Sequence, residues 1–311
     1  MIKAENLVQD YGTVRALADV SFHIPRGQVV GLVGPNGAGK TTTMKILTGY
    51  LAPTSGRAHI AGHDVVERRL AAQRHIGYLP ENAPIYKDML VQDYLTWMAK
   101  LREIPATERM SRLSTVVWAC GLDSVLTKPV GHLSKGFRQR TGLAQAMLHD
   151  PDILILDEPT SGLDPNQILD IREMIRGLGR EKTVILSTHI LSEVEATCDR
   201  VLMVVAGELH VDETLESFGR GHGVLLRLLG QVDRVTEAVM EVDGVDAVDP
   251  VDEDTDSTTV RLHTDARPGL LTELGNLARA KSWTVIELTR LHHDLEDIFK
   301  KLKTSPQEVS T

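Results

Sequence analysis

The chain has 311 residues, of which 42% are hydrophobic and 4% aromatic, a composition that excludes collagen-like, low-complexity and wholly disordered proteins. This length predicts two domains that fold without disulfides. With 43 acidic and 34 basic residues, the formal charge of −9 disfavours nonspecific nucleic-acid binding. The two cysteines, Cys120 and Cys198, lack the spacing of a disulfide framework or a metal site. No apolar run is long enough to predict a signal peptide or a membrane-spanning helix.

Up to about residue 216, short apolar runs alternate with helical segments. Runs at 29–33, 153–156, 184–186 and 201–205 are almost wholly apolar and predict parallel strands buried on both faces of an α/β sheet. Residues 2–8 and 58–60 are less continuous and predict strands with one solvated face. Between 91 and 148 apolar residues recur at helical spacing instead, which predicts a helical insert over about residues 88–148.

Glycines 219, 221 and 223 predict a linker, after which the pattern changes. Strands are predicted at 224–229, 245–251, 258–264 and 284–288, and helices at 232–242, 269–280 and 295–302. This βαββαβ order is typical of a small α+β, ferredoxin-like domain. We therefore expect a first domain over residues 1–218, a second over 222–305, and a tail at 306–311.

A glycine-rich segment follows the apolar run 29–33 and precedes a predicted helix over 40–47. It reads G-x-x-x-x-G-K-T, the phosphate-loop pattern in the context that the motif requires. Glycines let the backbone wrap a polyphosphate, whose charge is then met by N–H groups at a helix N-terminus. Lys40 is expected to contact the β- and γ-phosphates, and the Thr41 hydroxyl to ligand Mg²⁺. The predicted nucleotide-binding residues of this segment are Gly34, Pro35, Asn36, Gly37, Ala38, Gly39, Lys40, Thr41 and Thr42.

Two carboxylates, Asp157 and Glu158, end the apolar run at 153–156. A fully buried strand does not end in this way for stability, because carboxylates disfavour a low dielectric. Helix capping or turn chemistry is the alternative, and the phosphate loop makes it less favoured. We expect Asp157 to support Mg²⁺ and Glu158 to act as general base on the attacking water.

Residues 133–140 read LSKGFRQR and resemble the LSxGxxQR signature of the ATP-binding subunits of ABC transporters. The resemblance implies a P-loop NTPase fold, ATP and Mg²⁺ as ligands, and nucleotide contacts from Ser134 and Gly136. It further implies that Asp164 belongs to the D-loop and that His189 senses the γ-phosphate. Tyr11 would stack on adenine, against the alternative of a structural tyrosine.

One position departs from the common family pattern. Glu81 stands in Tyr-Leu-Pro-Glu, where most members carry a glutamine. An ionised glutamate only accepts hydrogen bonds, although it could still ligand Mg²⁺ or orient water. This form resembles the branch whose ATPases pair with ABC-2-type exporters, including drug, sodium and gliding-motility types.

The family's arrangement implies a nucleotide held between two subunits, so that Ser134 and Gly136 act on the partner's ATP. Because the chain has one set of motifs, all intact, we expect a homodimer with a membrane permease against the helical insert, at the cytoplasmic face of the plasma membrane. ATP would close the dimer and hydrolysis would reopen it. The alternatives are a soluble ABC ATPase acting on ribosomes, DNA repair or assembly, a regulatory nucleotide sensor, and an importer.

The second domain resembles the family's accessory domain, and His292 and His293 fit a solvated turn better than a metal site.

Overall fold

The computed structural model describes residues 1–219, 223–230, 232, 234–254, 257–264, 267, 269–291, 295 and 299. The chain forms two compact units, Met1–Thr214 and Leu215–Thr311. Within the described residues, no helix is long and apolar enough to cross a membrane.

The first unit is an α/β domain with two sheets. Its strands are β1 (Ile2–Tyr11), β2 (Val14–Ile24), β3 (Val29–Val33), β4 (Ser55–Ile60), β5 (His63–Asp64), β6 (Ile76–Leu79), β7 (Ile153–Asp157), β8 (Thr183–Thr188), β9 (Arg200–Val205) and β10 (Glu208–Thr214). Its α-helices are α1 (Lys40–Leu47), α2 (Arg69–Arg74), α3 (Val91–Leu101), α4 (Ala106–Cys120), α5 (Lys135–Met147), α6 (Pro165–Gly179) and α7 (Leu191–Thr197).

The larger sheet has the order β10-β9-β3-β8-β7-β6. Strands β9, β3, β8, β7 and β6 run parallel, and β10 pairs antiparallel at one edge. The four predicted apolar runs are thus confirmed as neighbouring parallel strands. The smaller sheet is antiparallel, with the order β2-β1-β4-β5.

Successive residues of the central strands face two different cores. In β7, Leu154 and Leu156 pack into a core formed with α3, α4 and α5, whereas Ile153 and Ile155 pack into a core shared with the antiparallel sheet. A strand buried on both faces must be apolar at every position, which explains the continuous runs in the sequence. The predicted helical insert is confirmed as α3, α4 and α5.

Several elements of the first unit escaped prediction. Strand β2 contains Asp19, whose φ is +61°, and its register against β1 shifts, so its apolar residues do not alternate regularly. Strand β6 has only four residues. Both pair with a predicted strand, which shows that tertiary pairing rather than local pattern fixes them.

The second unit contains α8 (Leu215–Gly219), β11 (Gly223–Leu229), α9 (Val235–Met240), β12 (Val245–Asp254), β13 (Ser257–Thr264), α10 (Leu270–Ala280) and β14 (Val285–Leu291). Its sheet is antiparallel with the order β12-β13-β11-β14, the arrangement of the predicted ferredoxin-like βαββαβ fold. Leu226, Leu262 and Leu274 lie in its core.

The predicted glycine linker is partly wrong, because Gly219 ends α8 and Gly223 begins β11. Gly221, His292, His293 and the tail lie outside the described residues. So does most of the final predicted helix, of which Leu295 and Phe299 are described and buried.

Candidate functional site

The phosphate loop joins β3 to α1 at the carboxyl edge of the parallel sheet. Gly37 and Gly39 have φ of +81° and +108°, in the left-handed region that glycine adopts without strain. Gly34 is packed so closely that an added Cβ would lie 2.1 Å from the Val204 carbonyl oxygen. These glycines are required by backbone conformation and packing, in a loop that opens a helix.

Lys40, the first residue of α1, is buried within this loop. Its ammonium donates to the carbonyl oxygen of Gly34 at 2.8 Å and to that of Pro35 at 3.3 Å. The Nζ atom also lies 3.7 Å from Glu158 Oε1. The loop's own carbonyls therefore hold the cation beside the position that a bound phosphate would take.

The acidic pair stands where β7 ends. Asp157 is buried, and its Oδ1 accepts from the Ser187 hydroxyl at 2.6 Å and from the Thr41 hydroxyl at 3.4 Å. The same Ser187 hydroxyl accepts the Glu158 backbone N–H at 2.9 Å. From the neighbouring strand β8, Ser187 thus holds the Asp157 carboxylate and the Glu158 backbone, a role that sequence reasoning missed. Its signal was a polar residue near the end of an otherwise apolar strand.

Glu158 takes a backbone conformation that is costly for a residue with a side chain. Its φ is +48°, and such strain is found at functional sites where the surroundings enforce it. His189 Nδ1 lies 3.0 and 3.2 Å from the two carboxylate oxygens. Burial raises the pKa of the Glu158 carboxyl, while His189 and Lys40 act in the opposite direction. A raised pKa suits a carboxylate that accepts a proton.

The loop and these side chains surround one cleft of about 640 Å³. Its lining contains Ala16, Asn36, Gly37, Ala38, Gly39, Lys40, Thr41, Thr42, Glu81, Glu158, Ser161 and His189. Ala16 and Ser161 were not among the predicted site residues. Most of the lining is polar backbone and charged side chain, as a polyphosphate requires.

The remaining predicted residues do not line this cleft. Tyr11 ends β1 and is 48% exposed. Ser134 caps α5, where its hydroxyl accepts the Phe137 N–H at 3.4 Å, and it is exposed. Asp164 likewise caps α6. Gly136 is buried against Gln167, whose Cδ would lie 2.6 Å from an added Cβ.

Magnesium binding was predicted for Thr41, Glu81 and Asp157. The Thr41 and Asp157 oxygens already approach each other, and Glu81 is exposed at the cleft. No three His, Cys, Asp or Glu side chains of the described chain form a metal cluster. Hard oxygen donors with only one or two carboxylates fit Mg²⁺, which is usually held together with substrate phosphates.

A phosphate loop opening a helix and an acidic pair ending a parallel strand of the same sheet define the class of P-loop nucleotide hydrolases. Residues 17–161 match the family described as ABC transporter. The ABC transporter ATP-binding protein YxlF of Bacillus subtilis, itself uncharacterised, is 39% identical over 209 residues, which cover 67% of this chain and 69% of that protein. The lantibiotic transport ATP-binding protein SrtF of Streptococcus pyogenes is 38% identical over 214 residues, covering 68% and 90%.

The solved dimeric structure of MJ0796, a bacterial ABC transporter cassette, superposes with a TM-score of 0.64 at 25% identity. That match covers 69% of this chain and 99% of the cassette. The chain therefore belongs to the ATP-binding subunits of ABC transporters and is an ABC-type ATPase. The comparisons give no support to the alternative of a soluble ATPase without a transport role.

Proposed function

We propose that the chain energises an ABC-2-type exporter by closing a homodimer around ATP and reopening it on hydrolysis. The observation that carries this proposal is that Lys40, Glu158 and His189 line one cleft, while the buried Asp157 accepts a hydrogen bond from Thr41 of the same lining. Each side chain has a chemical role there. The signature residues, in contrast, lie away from the cleft.

In the proposed site, the phosphate loop and Lys40 bind the β- and γ-phosphates. Thr41 and Asp157 would hold Mg²⁺, with Glu81 at the rim, and the ion supplies neutralisation of phosphate charge. Glu158 orients the attacking water and takes its proton, because its carboxylate lines the cleft 3.7 Å from Lys40 Nζ. His189 keeps Glu158 in place and is near enough to contact the γ-phosphate. The adenine would stack on Tyr11, at the exposed end of β1.

The position of Ser134 and Gly136 supports the proposed dimer. Ser134 is exposed at the N-terminus of the thirteen-residue helix α5 and does not reach its own cleft. A helix N-terminus attracts anions, so the signature of one subunit can complete the ATP site of the other. The similar MJ0796 cassette is described as dimeric. Intact motifs on this chain favour two identical subunits, with Asp164 near their contact.

A membrane permease is the proposed partner, at the cytoplasmic face of the membrane. Tyr50 and Leu101 are 78% and 55% exposed and line a groove of about 380 Å³ on the first unit. Tyr86, in the loop after Glu81, is 55% exposed. A groove beside the end of α3 and an exposed aromatic side chain in the loop after Glu81 are surfaces that suit a permease segment. Export is favoured because the Tyr-Leu-Pro-Glu form at Glu81 resembles the branch that pairs with ABC-2-type exporters; the similar SrtF is named for lantibiotic transport.

The test is a pull-down of tagged Glu158→Gln from gently solubilised native cells, with ATP present, read by mass spectrometry. A polytopic membrane protein at stoichiometric yield supports the transporter assignment and identifies the route to the cargo. Lys40→Ala, in which ATP binding is expected to be severely weakened, is the matched control for nucleotide dependence. Ribosomal, DNA-repair or only soluble partners would contradict the proposed role, while leaving the ATPase chemistry intact.

A further inference from the structure

A buried carboxylate lies behind the ATP site and has no part in the roles assigned so far. Glu193, on α7, is 3% exposed. Its Oε2 accepts from the Thr160 hydroxyl at 2.9 Å and from the Thr188 hydroxyl at 2.7 Å. Burying a carboxylate is costly unless it is hydrogen-bonded or paired, so these contacts are what permits Glu193 at this position.

The two threonines lie beside the two acting side chains in the sequence. Thr160 stands two residues after Glu158, and Thr188 immediately precedes His189. The Thr188 hydroxyl also accepts the Ile190 N–H at 3.1 Å, which fixes the backbone on the other side of His189. Glu193 therefore connects the loop after β7 to the last residue of β8.

The second oxygen of Glu193 faces α6. Its Oε1 lies 3.8 Å from Arg172 Nη2 and accepts no hydrogen bond from the described residues. Helix α6 begins where the loop that contains Glu158 and Thr160 ends. One carboxylate thus contacts that loop near its start and the helix that follows it.

We infer that Glu193 is a positioning residue for ATP hydrolysis, which holds Glu158 and His189 at their mutual distance through Thr160 and Thr188. This inference rests on the roles proposed above for Glu158 and His189. Their direct contact at 3.0 Å is exposed to the cleft and must accommodate nucleotide, whereas the threonine contacts are buried and independent of it. A buried tie of this kind keeps the base in place when phosphate arrives.

The experiment measures kcat, KM and ATP affinity in the full chain for Glu193→Ala, Thr160→Val and Thr188→Val. A displacement of about 1 Å costs on the order of 100-fold in rate, so we expect that loss in kcat for Glu193→Ala, with KM and ATP affinity nearly unchanged. Each valine variant removes one hydroxyl at nearly constant volume. We expect kcat to fall about tenfold in each variant, which corresponds to an activation free energy raised by about 1.4 kcal/mol. Because the valine variants disturb the fold least, they test the inference even if Glu193→Ala is unstable.

Two conservative variants separate positioning from general structure. The amide oxygen of Glu193→Gln can still accept both hydroxyls, so most of the lost kcat should return. Thr183→Val removes a buried hydroxyl at the opposite end of β8, where Gly27 N–H donates to it at 3.0 Å. It should lower stability without lowering kcat. A loss in Glu193→Gln as large as in Glu193→Ala, or an equal kcat loss in Thr183→Val, would overturn the inference.

The decisive readout combines Glu193→Ala with Glu158→Gln. If Glu193 acts through Glu158, the double variant hydrolyses ATP no more slowly than Glu158→Gln alone. Multiplicative losses would instead show a merely structural role and overturn the inference. If Glu158→Gln itself keeps wild-type turnover, the proposed base is wrong. If Glu158→Gln is inactive while the Glu193 and threonine variants hydrolyse ATP normally, Glu158 keeps its role as the base and the positioning role of Glu193 is refuted.

Discussion

Replacing Lys40 by alanine should remove most of the ATP affinity. An ammonium has three N–H donors, and the 2.8 Å bond to Gly34 O leaves two for phosphate oxygens, since the 3.3 Å contact with Pro35 O is readily exchanged. A hydrogen bond that involves a charged group contributes about 1.5–3 kcal/mol, so two of them correspond to about 3–6 kcal/mol. The Kd for ATP should therefore rise by at least about 100-fold.

Titration calorimetry with Mg·ATP measures this loss, and a thermal melt checks that the variant is folded. Lys45→Ala is the matched control, because Lys45 lies in the last turn of the same helix α1 and its removal changes the net charge equally. We expect an unchanged Kd there. Near-normal affinity in Lys40→Ala, or an equal loss in Lys45→Ala, would refute the reasoning.

Two further predictions concern stability. Gly34→Ala places a Cβ 2.1 Å from the Val204 carbonyl oxygen and should lower the free energy of unfolding by about 1–3 kcal/mol or more. Gly177→Ala, on an open face of α6, should raise the free energy of unfolding by about 0.5–1 kcal/mol. Denaturant unfolding that ranks the two variants in the opposite order would contradict the close packing described for Gly34. Burial lowers the pKa of His149 from 6.5 to about 4, and Arg102 acts in the same direction. As pH falls, the unfolded state therefore takes up the proton before the folded state does. The free energy of unfolding should decrease between about pH 6.5 and about pH 4, by at most about 3 kcal/mol. His149→Gln, whose amide can still donate to the Ile76 carbonyl, should remove that component, and an unchanged pH profile of unfolding would show that another group causes it.

Much of the fold could be predicted because local pattern and burial agree. Strand β7 is apolar throughout since its alternate residues face two cores, and the helix over 40–47 was predicted from the glycine-rich loop before it. Strand β2 could not be predicted in the same way. Its left-handed Asp19 and its register shifts make sense only beside β1.

In the candidate site, too, sequence analysis found the residues that local motifs carry and missed those that tertiary pairing brings in. Lys40, Asp157 and Glu158 were found because the motif and the strand end are local in sequence. Ser187 and Glu193 were not, because Asp157 and Thr160 lie 30 and 33 residues from them, and the pairing of β7 with β8 brings these segments together. A hydroxyl at the end of an apolar strand carries no chemical signal until its partner is known.

Sedimentation of Glu158→Gln with Mg·ATP is the most direct test of the proposed mechanism. In that mechanism Glu158 is the general base that acts on ATP held between two copies of this chain. The account predicts a species of twice the 34.2 kDa chain mass that forms only with ATP and persists because turnover is very slow. Wild type should show this species only transiently. A Glu158→Gln protein that stays monomeric with bound ATP, or that hydrolyses it at the wild-type rate, would contradict the account.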